Sequence, residues 1–246
     1  MYQPRTYRHW VKGQDLVSFS VVLRETDLYI RATRNLQNEA LESVLKCRSK
    51  LEGYIEQHPD FLTSLEPVLF DDGAPDVVRV MLEAASKTGV GPMAAVAGTI
   101  NEFVGHELLN FSPEVIIENG GDLFIKSLRE RVVGIYAGNS PLSGKIGLEL
   151  RGEDTPLAIC TSSGTVGHSL SYGQADAVVV LSPSSALADA AATAIANLIK
   201  QPEDIPSAIE RARDIGDLMG LVVIKDDKIG FWGDVRICDT GQSQLS

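Results

Sequence analysis

Cationic side chains are in short supply. The chain of 246 residues holds 22 Lys and Arg against 33 Asp and Glu, a formal charge of -11, which argues against a broad nucleic-acid footprint or attraction to an anionic membrane surface. Any polyanionic ligand therefore has to be met locally. Cysteine is scarce as well. Cys47, Cys160 and Cys238 are odd in number and widely spaced, so neither a disulfide framework nor a CxxC metal site is indicated. Reduced, buried thiols in a cytosolic protein are the plain reading. No stretch approaches the about 20 apolar residues of a membrane span, and the N-terminus, MYQPRTYRHW, lacks a signal peptide's apolar core and a lipobox cysteine. The expectation is a cytoplasmic protein without a nucleic-acid or membrane partner. Internal repeats, coiled-coil heptads and low-complexity tracts are also missing. So are the GxGxxG, GK[ST] and GxSxG patterns: GVGP at 89–92 lacks the final glycine, and TSSG at 161–164 is not a nucleophile elbow. Conventional dinucleotide binding, P-loop binding and a serine nucleophile are disfavoured.

What remains is an ordinary core-forming chain, 44% hydrophobic and long enough to fold without staples. Residues 6–32 alternate as three short strands, with a tight polar turn at 24–27. Apolar positions from Gln37 to Tyr54 recur at helical spacing, followed by a long loop over 59–75 that is rich in Pro and Gly. A second helix is expected from Pro75 or Asp76 to about Lys87, stopped by Gly89. Residues 89–111 carry Ala94, Ala95, Ala97, Gly98 and Thr99, small enough to let a helix pack very closely, behind a Gly89, Gly91 and Pro92 loop that leaves backbone free for a ligand. Strands are expected at 114–117, 123–125, 132–136 and 145–150, then a helix over 206–219, a closing hairpin at 221–232 and a disordered tail at about 240–246. Strand and helix do not alternate regularly, which makes the fold class α+β and the chain a single compact domain over 1–246. The alanine-rich helices suit packing within one chain or between two, leaving a homo-oligomer open.

Residues 157–200 hold most of the candidate chemistry. An apolar run ending in Cys160 delivers a loop of Thr161, Ser162, Ser163, Gly164, Thr165, Gly167 and His168. A second apolar run, 175–181, feeds a helix for which Ser182 suits the cap and Pro183 the first position. Asp189 and Thr193 follow four residues apart on one helical face. A carboxylate and a hydroxyl there make half of a Mg²⁺ site, since Mg²⁺ takes few side-chain oxygens and keeps waters and substrate phosphates. Spacing alone favours the alternative, an Asp stabilising an early helical turn beside a packed Thr. The turn Glu118, Asn119, Gly120, Gly121, Asp122 reads equally as a plain hairpin or as bare backbone for a phosphorylated or planar ligand. His168 stands in a loop of glycine, serine and threonine, where an imidazole serves as acid, base or phosphate contact, or is simply exposed.

Three segments in order, GVGPMAAVAG at 89–98, ENGGD at 118–122, and TSSG at 161–164 followed by ADAAAT at 188–193, resemble the ApbE-like family, whose characterised members are FAD:protein FMN transferases. The resemblance covers roughly residues 85–200 and implies an ApbE-like fold of mixed and antiparallel sheets with packed helices. It implies Asp189 and Thr193 as Mg²⁺ ligands beside the FAD pyrophosphate, with a backbone carbonyl near Pro92 joining them. It further implies a flavin-nucleotide contact by Asn119, Gly120, Gly121, Asp122, Thr161, Ser162, Ser163 and Gly164, and His168 as the catalytic histidine. The implied activity is transfer of FMN from FAD to a hydroxyl of an acceptor protein, or hydrolysis of FAD to FMN and AMP. The sequence also departs from the family pattern. The lysine of its GxxAKG-like segment falls near Ala95 or Val96, and the Asp-Pro segment that follows the Thr-Ser-Gly loop is absent, as in a short cytosolic branch. The alternative is a non-catalytic ligand-binding or accessory protein on the same scaffold, in anaerobic sulfur or redox metabolism.

Overall fold

The computed structural model describes residues 15–165 and 172–241. In chain order these form β1 (Val17–Leu23), β2 (Thr26–Ala32), α1 (Gln37–Gln57), α2 (Asp60–Thr63), α3 (Asp76–Thr88), α4 (Val96–Leu108), β3 (Val115–Asn119), β4 (Asp122–Lys126), β5 (Arg131–Gly134), β6 (Ile146–Leu150), β7 (Leu157–Ser162), β8 (Ala177–Ser182), α5 (Ser185–Ala196), α6 (Ile205–Asp214), β9 (Gly220–Lys225), β10 (Lys228–Gly233) and β11 (Ile237–Asp239). The expected α+β architecture is present. Eight strands form one sheet in the order β1-β2-β3-β4-β7-β8-β9-β10, and β11-β6-β5 form a second. Every ladder among the described residues is antiparallel.

The large sheet is covered on both faces, which is why β3 and β8 read as near-continuous apolar runs. Strand periodicity divides each run between two cores. In β7 and β8, Ala158, Cys160, Val178 and Val180 face α5 and α6. Leu157, Ile159, Val179 and Leu181 face the small sheet through Val133, Ile135, Leu148 and Leu150. At the other end of the sheet, Phe124, Val115 and Ile117 pack under α1 and α4. The helices are held together by a core of their own, in which Met81 and Leu82 meet Ala186 and Ala190.

Local sequence explains most boundaries. Gly89 ends α3 at φ 81, the left-handed conformation that glycine adopts freely. Gly120 and Gly121, at φ 66 and 107, turn β3 into β4 with Asn119 paired to Asp122. Four boundaries differ from expectation. Pro92–Ala95 form a 3-10 turn before α4 begins at Val96. Ser182 is not the cap of α5: it closes β8, and its hydroxyl donates to the Asp217 carbonyl at 2.9 Å. The cap is Ser184, whose Oγ accepts from Leu187 N at 3.4 Å, so Pro183 lies ahead of the helix. The last helix stops at Asp214 because Ile215 is extended and Asp217 adopts φ 67. Thr240 is buried and bonded to the Gly144 carbonyl, so order reaches past the start of the expected tail. The first of the three expected N-terminal strands, residues 242–246 and His168 lie outside the described residues. No helix among the described residues is long and apolar enough to cross a membrane.

One ionic cluster ties the two sheets together at the start of β5. Arg131 makes a bidentate pair with Asp15 at 2.7 and 2.9 Å and reaches Glu114 at 3.0 Å and Ser127 Oγ at 2.9 Å. The Arg131 hydrogen bonds hold the Asp15 carboxyl down at about 2, and Ser127, Leu128 N and Arg131 keep Glu114 below the usual carboxylate range against the opposing effect of burial. Both depressed groups contribute stability that is present above the ordinary carboxylate pKa and lost as pH falls through the folded value. Replacing Arg131 by Met strands the Glu114 charge, so Arg131→Met is expected to cost about 3–5 kcal/mol at neutral pH. Urea unfolding at pH 7 and at pH 3 checks this, and the cost should shrink at the lower pH.

Candidate functional site

The first turn of α4 is the hub of the site. A Cβ at Gly98 would lie 2.2 Å from the Ser185 carbonyl oxygen and 2.9 Å from Asp189 Cβ, so glycine at 98 is what lets α4 cross α5 at backbone contact. The contact brings Gly98 N to 2.8 Å from Asp189 Oδ2. One helical turn further on, Asn101 Nδ2 donates to the Asp122 carbonyl at 2.9 Å, and Glu102 Oε2 accepts from Ser185 N at 2.6 Å. Asn119 Nδ2 donates to the Ala97 carbonyl at 3.4 Å. The turn at 118–122 is therefore fixed to α4, and α4 to α5.

The end of β7 closes the other side. Thr161 N donates to Asp122 Oδ1 at 3.1 Å, and Glu118 Oε1 accepts from Gly121 N at 3.0 Å. Thr161, Ser162 and Ser163 are half-buried and Gly164 is exposed. Ser163 and Gly164 are bound into the loop itself: Ser163 Oγ donates to the Ala175 carbonyl at 3.2 Å, and Gly164 N donates to the same carbonyl at 2.9 Å. Thr165 Oγ1 meets Asp176 Oδ1 at 3.1 Å, and Tyr172 N donates to Asn197 Oδ1 at 2.9 Å.

Burial pushes the Asp122 carboxyl up to about 7, with the charge of Glu118 adding to the rise and the Thr161 N–H and Cys160 thiol opposing it. Burial and the charge of Asp122 push Asp189 well above the ordinary carboxylate range, against the donors Gly98 N and Ala97 N. The Cys160 thiol is raised as well, first by burial and then by the two aspartates. Such a pair of mutually opposed carboxylates is discharged by a proton or by a cation.

The structure thus brings Asn119, Asp122, Thr161 and Asp189 around α4, with Thr193 half-buried one turn beyond Asp189 on α5. Gly120 and Gly121 present backbone at the tip of the turn. The sequence marks Gly98 as one of the small residues that let a helix pack closely, and the structure adds Asn101, Glu102 and Cys160 to the site. Asn101 and Glu102 follow Gly98 by one helical turn, a spacing legible in the sequence. Cys160 reads as core until β4 is placed beside β7.

The oxygens present fit a hard divalent cation. Asp189 and Thr193 supply a carboxylate and a hydroxyl, and the carboxylate pair lacks a neutralising partner. Two fully buried polar atoms on residues that touch this cluster, Asn101 Oδ1 and Ser185 Oγ, have no hydrogen-bond partner. Among the described residues there is no group of three or more His, Cys, Asp and Glu side chains arranged to hold a metal, which leaves the sparse side-chain set that Mg²⁺ accepts. A shallow cleft lies elsewhere, between Leu148, Leu157, Met219 and Arg236, and contains none of these residues.

A family model described as "AbpE bacteria" matches residues 8–226. The chain belongs to that family. It is 42% identical over 221 residues to a UPF0280 protein of Methanocaldococcus jannaschii, covering 87% of this chain and 90% of that one. It is 44% identical over 226 residues to a UPF0280 protein of Methanopyrus kandleri, covering 89% and 91%. In fold it is similar to the apo form of Pseudomonas stutzeri flavinyl transferase ApbE, with a TM-score of 0.59, 14% identity and coverage of 88% and 94%. The ApbE protein of Thermotoga maritima superposes with a TM-score of 0.55 at 12% identity, covering 87% and 96%. The ApbE-like fold expected from the three ordered motifs is the fold observed.

Two predictions follow the geometry. A side chain at 98 forces α4 from α5, so Gly98→Val is expected to lose about 1–3 kcal/mol in urea unfolding. Asp122, raised from the ordinary 3.8 to about 7, binds its proton more tightly folded than unfolded. Its contribution is full below 3.8 and is lost as pH rises through about 7. Metal-free protein should therefore lose stability over that window, and Asp122→Asn should flatten the profile; thermal unfolding in chelator from about half a unit below the lower end of the window to about one unit above its upper end reads it.

Proposed function

We propose that the protein binds FAD together with Mg²⁺ and cleaves the pyrophosphate, passing FMN to a protein hydroxyl or to water and releasing AMP. The observation that carries this reading is the convergence on α4 of the family's motifs: Asp189 on Gly98 N, the 118–122 turn through Asn101 and Asn119, and the 161–164 segment through Asp122. Asp189 and Thr193 hold the ion. Bound Mg²⁺ supplies charge neutralisation at the pyrophosphate and its leaving group. Gly120 and Gly121 bring bare backbone against the nucleotide, and Asp122 fixes the Thr161 backbone on the opposite wall. His168 takes the proton from the attacking hydroxyl. The new bond forms between that oxygen and the FMN phosphorus, the phosphoanhydride bond to AMP breaks, and the pair of electrons leaves with the AMP oxygen.

The missing lysine and Asp-Pro segment favour a second reading, a protein that binds the same ligand without turning it over. Incubation of purified protein with FAD, followed by chromatography for AMP, separates the two. Mg²⁺-dependent AMP release is expected. It should fall at least about 100-fold in Asp189→Asn and in His168→Ala. FAD binding without AMP release supports the binding protein, and no FAD binding by calorimetry sinks both readings.

A further inference from the structure

The walls of this site contain no cationic side chain of their own. Lys and Arg are absent from residues 88–125 and again from 152–199, and those two stretches supply α4, the 118–122 turn, the end of β7, its loop and α5. The basic residues at their borders are engaged: Lys87 with Glu83 and Asp217, Lys126 with the Thr155 carbonyl, Lys200 with the Tyr172 carbonyl. The usual substitute for a basic residue is the N-terminus of a helix, whose free N–H groups bind anions. Both such ends here are already filled by the chain's own carboxylates. Asp189 takes Gly98 N in the first turn of α4, and Glu102 takes Ser185 N at the start of α5. With Glu118 and Asp122 buried beside them, a bare pyrophosphate would meet four acidic side chains and no basic one. The buried, unpartnered Asn101 Oδ1 and Ser185 Oγ add two oxygen acceptors beside the carboxylates and no positive charge.

We infer that the site is loaded in a compulsory order, divalent cation first and nucleotide second, so that nucleotide binding is conditional on the cation. This rests on the reading of the site as a nucleotide site. The cation offsets the charge of Asp189 and its neighbours and is itself the one positive centre that a phosphate oxygen can meet there. Because coupling between two ligands is reciprocal, the nucleotide must tighten the cation by the same factor.

Calorimetry with Mn²⁺ alone, with the bound ion also followed by electron paramagnetic resonance, reads the first step. Titration of FAD in Mg²⁺ and in chelator reads the second. Nucleotide-free protein is expected to bind Mn²⁺, and Asp189→Asn, checked for folding by circular dichroism, to lose it. FAD affinity should fall about 100-fold or more in chelator, at the upper end of ordinary coupling between sites. Ala97→Lys, which places a cation beside the Asp189 contact, should recover FAD binding in chelator to within about five-fold of its Mg²⁺ value. Absence of Mn²⁺ binding to nucleotide-free protein overturns the order, as does wild-type FAD binding in chelator within about five-fold of the Mg²⁺ value. Mn²⁺ binding with no FAD binding under either condition removes FAD as the ligand and still upholds a cation-first site.

Discussion

The contact between Gly98 on α4 and the start of α5 governs the arrangement of everything around it. At this crossing the two helices are separated by backbone alone, because any Cβ at 98 would enter the Ser185 carbonyl. Close crossing sets the distance at which a helix N–H meets the Asp189 carboxylate, and it sets the angle from which Asn101 and Glu102 reach the strand turn and the start of α5. The alanines of α5 serve the same end: Ala186 and Ala190 pack toward α3 while Ala188, Ala191 and Ala192 pack toward the sheet. A helix with larger side chains would stand off from its neighbours, and the carboxylate would lose its donor.

The cost of this closeness is electrostatic. Two aspartates and a glutamate are drawn together where little water reaches them, and the raised pKa values of Asp122 and Asp189 record their burial first and the neighbouring carboxylates second. Elsewhere the chain handles buried charge differently, pairing Arg131 with Asp15 and Glu114 so that each charge has a counter-charge and hydrogen bonds. The contrast sets the α4–α5 crossing apart from the rest of the fold as the place where buried carboxylates gather without a counter-charge, the kind of environment in which functional sites cluster.

Much of this was legible in the residues. The 3.6-residue period gave α1 and α6, a proline start and the Gly89 stop gave α3, small residues behind a glycine loop gave α4, glycines at 120 and 121 marked a turn, and the ordered motifs pointed to the family fold. Spacing put Asp189 and Thr193 on one face but left a capping role in front, because one helix carries no information about the helix it crosses. Ser182 is not the cap because three serines and a proline crowd the β8 to α5 junction, and the choice among them depends on where the sheet ladder ends. Asn101, Glu102 and Cys160 owe their significance to pairing between elements distant in sequence, and β11 is too short and too polar to announce itself.

The loop that begins at Thr161 has a closed base. A Cβ on Gly164 would strike the Gly173 carbonyl and one on Gly173 the Ala196 carbonyl, while Ser163, Gly164 and Thr165 are bonded to Ala175 and Asp176. Chain entering at Thr165 and leaving at Tyr172 does so through a fixed gate. Loop entropy grows only logarithmically with length, so segments of very different size can be spliced at this gate without moving Asp122, Asp189 or the helix crossing. The platform is thereby insulated from the length of chain joined between Thr165 and Tyr172, and the two can change independently.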